Sequence, residues 1–131
     1  MENEEKPKII YVEDYPTLRM AMGFLLGKDY SVIKSADGND LKNKLENIVE
    51  NGTRDIKAIL TDNNMPGHTG SELIAEYANR ENMPPMILLY GGISEIGEKA
   101  LKNGAYAYFI KPADSFELNE KISEAIERYS K

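Results

Sequence analysis

The chain has no cysteine. That excludes a disulfide framework and any thiolate metal site. Histidine is nearly absent too, with His68 alone, so a zinc site built from nitrogen and sulfur ligands has nothing to draw on. Positive charge is scarce: 16 Lys and Arg stand against 22 Asp and Glu, for a net charge of −6. A nucleic-acid surface held by bulk electrostatics needs the opposite balance. No apolar run approaches the roughly 18 residues of a membrane span. The segment Met1–Pro7 is charged and lacks the apolar stretch of a secretion signal. The expectation is a cytoplasmic protein with no direct nucleic-acid partner and no membrane insertion. A glycine-rich dinucleotide turn is also missing, because the first apolar run leads into Glu13-Asp14-Tyr15-Pro16.

What is present fits one domain of 131 residues, large enough to bury a substantial core. Residues 1–7 read as a disordered, solvated tail and residues 8–131 as the domain. Short apolar runs at Lys8–Val12, Tyr30–Ser35, Ile56–Thr61, Met86–Tyr90 and Tyr106–Ile110 predict buried strands. Longer amphipathic segments at 15–27, 38–51, 70–81, 94–103 and 114–129 predict helices. Pro16 suits a first helical turn. Thr69 with Glu72, and Asp114 with Glu117, have capping-box spacing. Gly104 suits a helix stop. Five strands alternating with five helices predict a (βα)5 chain, a doubly wound parallel sheet with helices on both faces. With strand order 2-1-3-4-5 this is a flavodoxin-like three-layer sandwich. Strands so apolar are expected to be buried on both sides.

Open parallel sheets bind ligands beyond the carboxyl ends of their strands. There the sequence places Glu13-Asp14 after the first strand and Asp62 after the third. Gly91-Gly92 follow the fourth strand, and Lys111-Pro112 the fifth. Crowded carboxylates raise one another's pKa. A hard divalent cation relieves them, and oxygen ligands without Cys or His favour Mg²⁺. Asp62 could act as a carboxylate nucleophile toward a phosphoryl group. Lys111 could neutralise the phosphoryl oxygens, and the Gly91 N–H could donate to one. Thr61 reads as a strand residue facing core, His68 as an exposed loop residue, and Met20, Met22 and Met86 as core filler.

These residues resemble the receiver domain of two-component response regulators, over about Lys8 to Tyr129. Glu13-Asp14 is similar to the family's acidic pair. Asp62-Asn63-Asn64-Met65-Pro66-Gly67-His68-Thr69-Gly70 is similar to its D-x-x-M-P-x-x-x-G loop, and Lys111-Pro112 to the end of its fifth strand. The resemblance implies phosphorylation of Asp62 by a histidine kinase, a phosphotransfer protein or a small phosphodonor. It implies Mg²⁺ bound by Asp14, Asp62 and the main-chain carbonyl of Asn64, with Glu13 acting through water. It implies Lys111 paired with the acids at rest, and a cis Lys111–Pro112 peptide. No output domain is expected after the last helix. Output is then expected to be docking of an unknown protein on the face made by 94–103, 106–110 and 114–129, with the chain a signalling switch rather than a turnover enzyme.

One position departs from the family. Tyr90 stands where a Thr or Ser is usual, the residue whose hydroxyl meets the phosphoryl group while an aromatic in the fifth strand, here Tyr108, turns inward. Two readings stay open: a phosphorylated switch with an altered read-out, or a receiver-like interaction module that signals without phosphorylation. A third, an aspartyl phosphohydrolase, lacks its second acid, because Asn64 occupies that place.

Overall fold

The computed structural model describes residues 5–52, 55–92 and 94–129. The tail assigned to residues 1–7 lies outside the described residues for its first four positions. Pro7 is already tied down, its carbonyl accepting from the Ser31 N–H at 2.8 Å. The Lys6 ammonium donates to the Gly27 carbonyl at 2.8 Å.

Ten elements follow in strict alternation: β1 Lys8–Val12, α1 Pro16–Leu26, β2 Ser31–Ser35, α2 Gly38–Asn51, β3 Ile56–Asp62, α3 Gly70–Tyr77, β4 Met86–Tyr90, α4 Ser94–Lys102, β5 Ala107–Ile110 and α5 Ser115–Tyr129. The sheet is parallel throughout, in the order β2-β1-β3-β4-β5. This is the flavodoxin-like arrangement that the sequence pattern predicts.

Alternation along the strands divides the core in two. Ile10, Val12, Ile59, Met86, Leu88 and Tyr90 face one way, onto Leu41 and Leu45 of α2, Leu73 and Tyr77 of α3, and Ala100 of α4. Ile9, Tyr11, Leu60, Ile87 and Leu89 face the other way, onto Met22 and Leu26 of α1 and Leu118 and Ile122 of α5. Burial on both sides holds for the three central strands. It fails at the edges, where β2 and β5 are mostly half-buried or exposed, because an edge strand has a neighbour on one side only.

The boundaries shift for local reasons. Pro16 opens α1 as expected. The capping box of Thr69 and Glu72 is formed in both directions, and Asp114 accepts from the Phe116 N–H at 2.7 Å. Helix α3 stops at Tyr77 rather than continuing to 81. The chain then turns, with the Arg80 N–H bonded to the Tyr77 carbonyl and Asn82 at φ 69°. Gly104, at φ 112°, closes α4 in a conformation that glycine alone adopts freely.

Candidate functional site

The carboxyl ends of β1, β3 and β5 converge. Residues Val12 and Thr61 are register partners across β1 and β3, which sets Glu13-Asp14 beside Asp62. Carboxylate oxygens of Glu13, Asp14 and Asp62 all come within 4.8 Å of one another. Glu13 and Asp62 are buried and Asp14 is exposed at the rim. Lys111, held by a main-chain bond from its N–H to the Tyr90 carbonyl at 2.8 Å, reaches back over the edge. Its ammonium lies 2.6 Å from Glu13 Oε1 and 3.2 Å from Asp62 Oδ1. The Lys111–Pro112 peptide is cis.

Both oxygens of Glu13 are engaged. Oε1 faces Lys111, and Oε2 accepts from the Tyr15 N–H at 3.1 Å. Arg19 adds a bond from Nη1 to the Glu13 carbonyl at 2.8 Å. Asp62 is differently placed. Burial, then the charge of Glu13, push its carboxyl up to about 6, and Lys111 offsets only part of this. At Lys111 burial pulls the pKa down, but Glu13 and Asp62 outweigh it and the net direction is up. Tyr11, beneath the acids, is raised by burial and by Glu13 and Asp62. One ammonium therefore leaves the three carboxylates under-neutralised. The donor set is hard oxygen throughout, which suits a small divalent cation.

Asn64 is exposed in the loop after β3. Gly91 is open, its nearest neighbour for an added Cβ being the Lys111 Cβ at 3.9 Å. Thr61 is fully buried, and its hydroxyl donates to the Asp62 carbonyl at 2.9 Å. Of the three methionines read as filler, Met22 and Met86 are buried, but Met20 is 69% exposed on the outer face of α1. His68 is half-buried rather than exposed, because its main chain packs against Gly38 at the start of α2.

Tyr90 and Tyr108 are also settled by packing. The Tyr90 ring is buried in the core under α2, α3 and α4. Its hydroxyl end reaches Gly92, where any Cβ would collide with it. Tyr108 lies outside that ring. It covers Gly97 of α4, where a Cβ would strike the tyrosine, and its hydroxyl donates to Glu98 Oε2 at 2.9 Å.

Asn63, which no sequence motif marks, is buried beside Asp62. Its N–H donates to Asp62 Oδ1 at 2.8 Å and to the Leu89 carbonyl at 3.0 Å. No spacing rule marks it, because its side-chain oxygen accepts from a main-chain N–H eight residues away, that of Ser71, while its amide nitrogen donates to the neighbouring Asn64 Oδ1.

The chain matches the family model for the response regulator receiver domain over residues 9–123. It is 29% identical to chemotaxis protein CheY of Pseudomonas aeruginosa, over 92% of this chain and 97% of that protein. It is 32% identical to hybrid signal transduction histidine kinase D of Dictyostelium discoideum, over 89% of this chain and only 7% of the kinase. A receiver domain structure from Clostridium thermocellum superposes with a TM-score of 0.80 at 27% identity, covering 94% and 96% of the two chains. A CheY-like receiver from Methanospirillum hungatei JF-1 superposes equally well, with a TM-score of 0.80 at 25% identity, covering 97% and 98%. The chain belongs to the response regulator receiver family of two-component signalling.

Proposed function

We propose that this receiver takes a phosphoryl group on Asp62. The observation that carries the reading is the Lys111 ammonium set between two buried carboxylates, Glu13 and Asp62. In the transfer, an Asp62 oxygen bonds to phosphorus as the bond from phosphorus to the donor's leaving atom breaks. The leaving group departs with that electron pair. Lys111 is already within reach of the acceptor and stabilises charge on the phosphoryl oxygens. The Gly91 N–H, in the open main chain after β4, is a further donor. Asp14, Asp62 and the Asn64 carbonyl would hold Mg²⁺, with Glu13 acting indirectly since both its oxygens are engaged. Bound there, Mg²⁺ would neutralise the acids and the incoming phosphate.

The donor is a histidine kinase, a phosphotransfer protein or a small acyl phosphate, and the setting is cytoplasmic. The output is a partner protein docked on α4, β5 and α5, where Leu101 and Tyr129 are exposed. The chain acts as a switch that gains and loses its own phosphoryl group. With Mg²⁺ and acetyl phosphate, intact mass should show one phosphoryl adduct on the wild type and none on Asp62→Asn. Adduct on the variant would remove Asp62 from the role.

A second reading rests on Tyr90. Its ring already fills the core beside Tyr108, so the inward turn of Tyr108 has no free space. On that reading the domain binds its partner without phosphorylation. Partner affinity indifferent to Asp62→Ala and to Mg²⁺ removal would favour it, and a strong dependence on either would exclude it.

A further inference from the structure

Helix α3 begins at Gly70, packed so closely on the acceptor that a Cβ there would strike the Asp62 carbonyl. Its first three N–H groups need partners from outside the helix. The Gly70 N–H bonds to the Asn63 carbonyl at 3.0 Å. The Ser71 N–H bonds to Asn63 Oδ1 at 2.9 Å. The Glu72 N–H bonds to Thr69 Oγ1 at 3.1 Å. Asn63 thus supplies two of the three caps. It is buried, and its own N–H is one of two donors on Asp62 Oδ1, the other being Lys111.

We infer that Asn63 is a positioning residue for the phosphoacceptor. Its carboxamide, pinned to the start of α3, fixes the Asn63 peptide, and that peptide holds Asp62 Oδ1. Two donors on Oδ1 fix the rotation of the Asp62 carboxylate and with it the place of its second oxygen. The same pin makes α3 a mechanical neighbour of the acceptor, so a change at Asp62 is felt at Gly70 and Ser71. This rests on the reading of Asp62 as the acceptor.

The test compares wild type, Asn63→Ala and Asn63→Asp, each with Mg²⁺ and acetyl phosphate, following adduct mass against time. Amide hydrogen exchange at Gly70 and Ser71 is read alongside. The Asp side chain keeps an acceptor oxygen for the Ser71 N–H, whereas Ala has none. Loss of orientation is expected to slow adduct formation by roughly tenfold or more in Asn63→Ala, with Ser71 exchanging faster. At saturating Mg²⁺, which offsets the added carboxylate, Asn63→Asp should restore the Ser71 protection and most of the rate. A folded Asn63→Ala labelled at the wild-type rate would overturn the inference. If Asn63→Ala does not fold, Asn63→Gln, which moves the acceptor outward by one methylene, carries the same comparison. Absence of adduct on wild type would instead overturn the acceptor reading, and the inference with it.

Discussion

The two corners that flank Asp62 are built on different physics. The β3–α3 corner is held by directed polar bonds. Asn63 caps α3, the Gly38 N–H bonds to the Pro66 carbonyl at 3.0 Å, and Gly38 and Gly70 sit so close to neighbouring main chain that a Cβ would not fit. The β4–α4 corner is held by ring shape instead. Tyr90 is enclosed and limits position 92 to glycine, while Tyr108 does the same to position 97. A hydrogen bond loses its value within a fraction of an ångström and a change of angle. A packed ring tolerates no change of volume but carries no directional information. The first corner is therefore suited to sensing the state of Asp62, and the second to resisting movement.

That contrast can be broken most severely at Tyr90. Replacing it with Thr restores the short hydroxyl usual in the family but removes a buried ring. The expected loss is about 3 kcal/mol, measured by urea denaturation. Any smaller loss would mean that the corner relaxes into the space, and Tyr108 should then become free to move. In the same variant the Tyr108 ring signals in NMR should shift on adding Mg²⁺ and beryllofluoride, whereas wild type should show little change there.

The polar side of the comparison is sharpened by pH. The Asp62 carboxyl sits near 6 in the folded, metal-free protein, above its ordinary value. A raised carboxyl binds its proton more tightly when folded. The corresponding stability is present below the unfolded value and is lost as pH rises through about 6. The loss is spread between the unfolded value, about 4, and about 6, so from pH 5 to 7.5 the wild type should lose roughly 1 kcal/mol relative to Asp62→Asn. Millimolar Mg²⁺ should recover most of it at pH 7.5. Equal pH profiles for the two proteins would show that the cluster carries no such excess charge.

The smallest effect is expected at Tyr108. Its hydroxyl meets Glu98 at the exposed surface, and Tyr108→Phe keeps the ring over Gly97. Stability should fall by less than about 1 kcal/mol, and the rate of adduct formation should not change. A large loss of rate would place Tyr108 in the read-out after all.

The sequence by itself determined the alternation of strands and helices, the starts of α1 and α3, and the gathering of Glu13, Asp14, Asp62 and Lys111 at one edge. These follow from periodicity, caps and the rule that parallel strands end on one side, all of which are local or topological. Tertiary structure decided the rest. It set how far the edge strands are exposed, whether His68 is covered, that Glu13 and Asp62 are buried while Asp14 is not, and that the Tyr90 ring turns into the core toward Gly92. It also gave Asn63 its place, because the group its side-chain oxygen caps is a main-chain N–H, and main-chain groups are the same in every sequence.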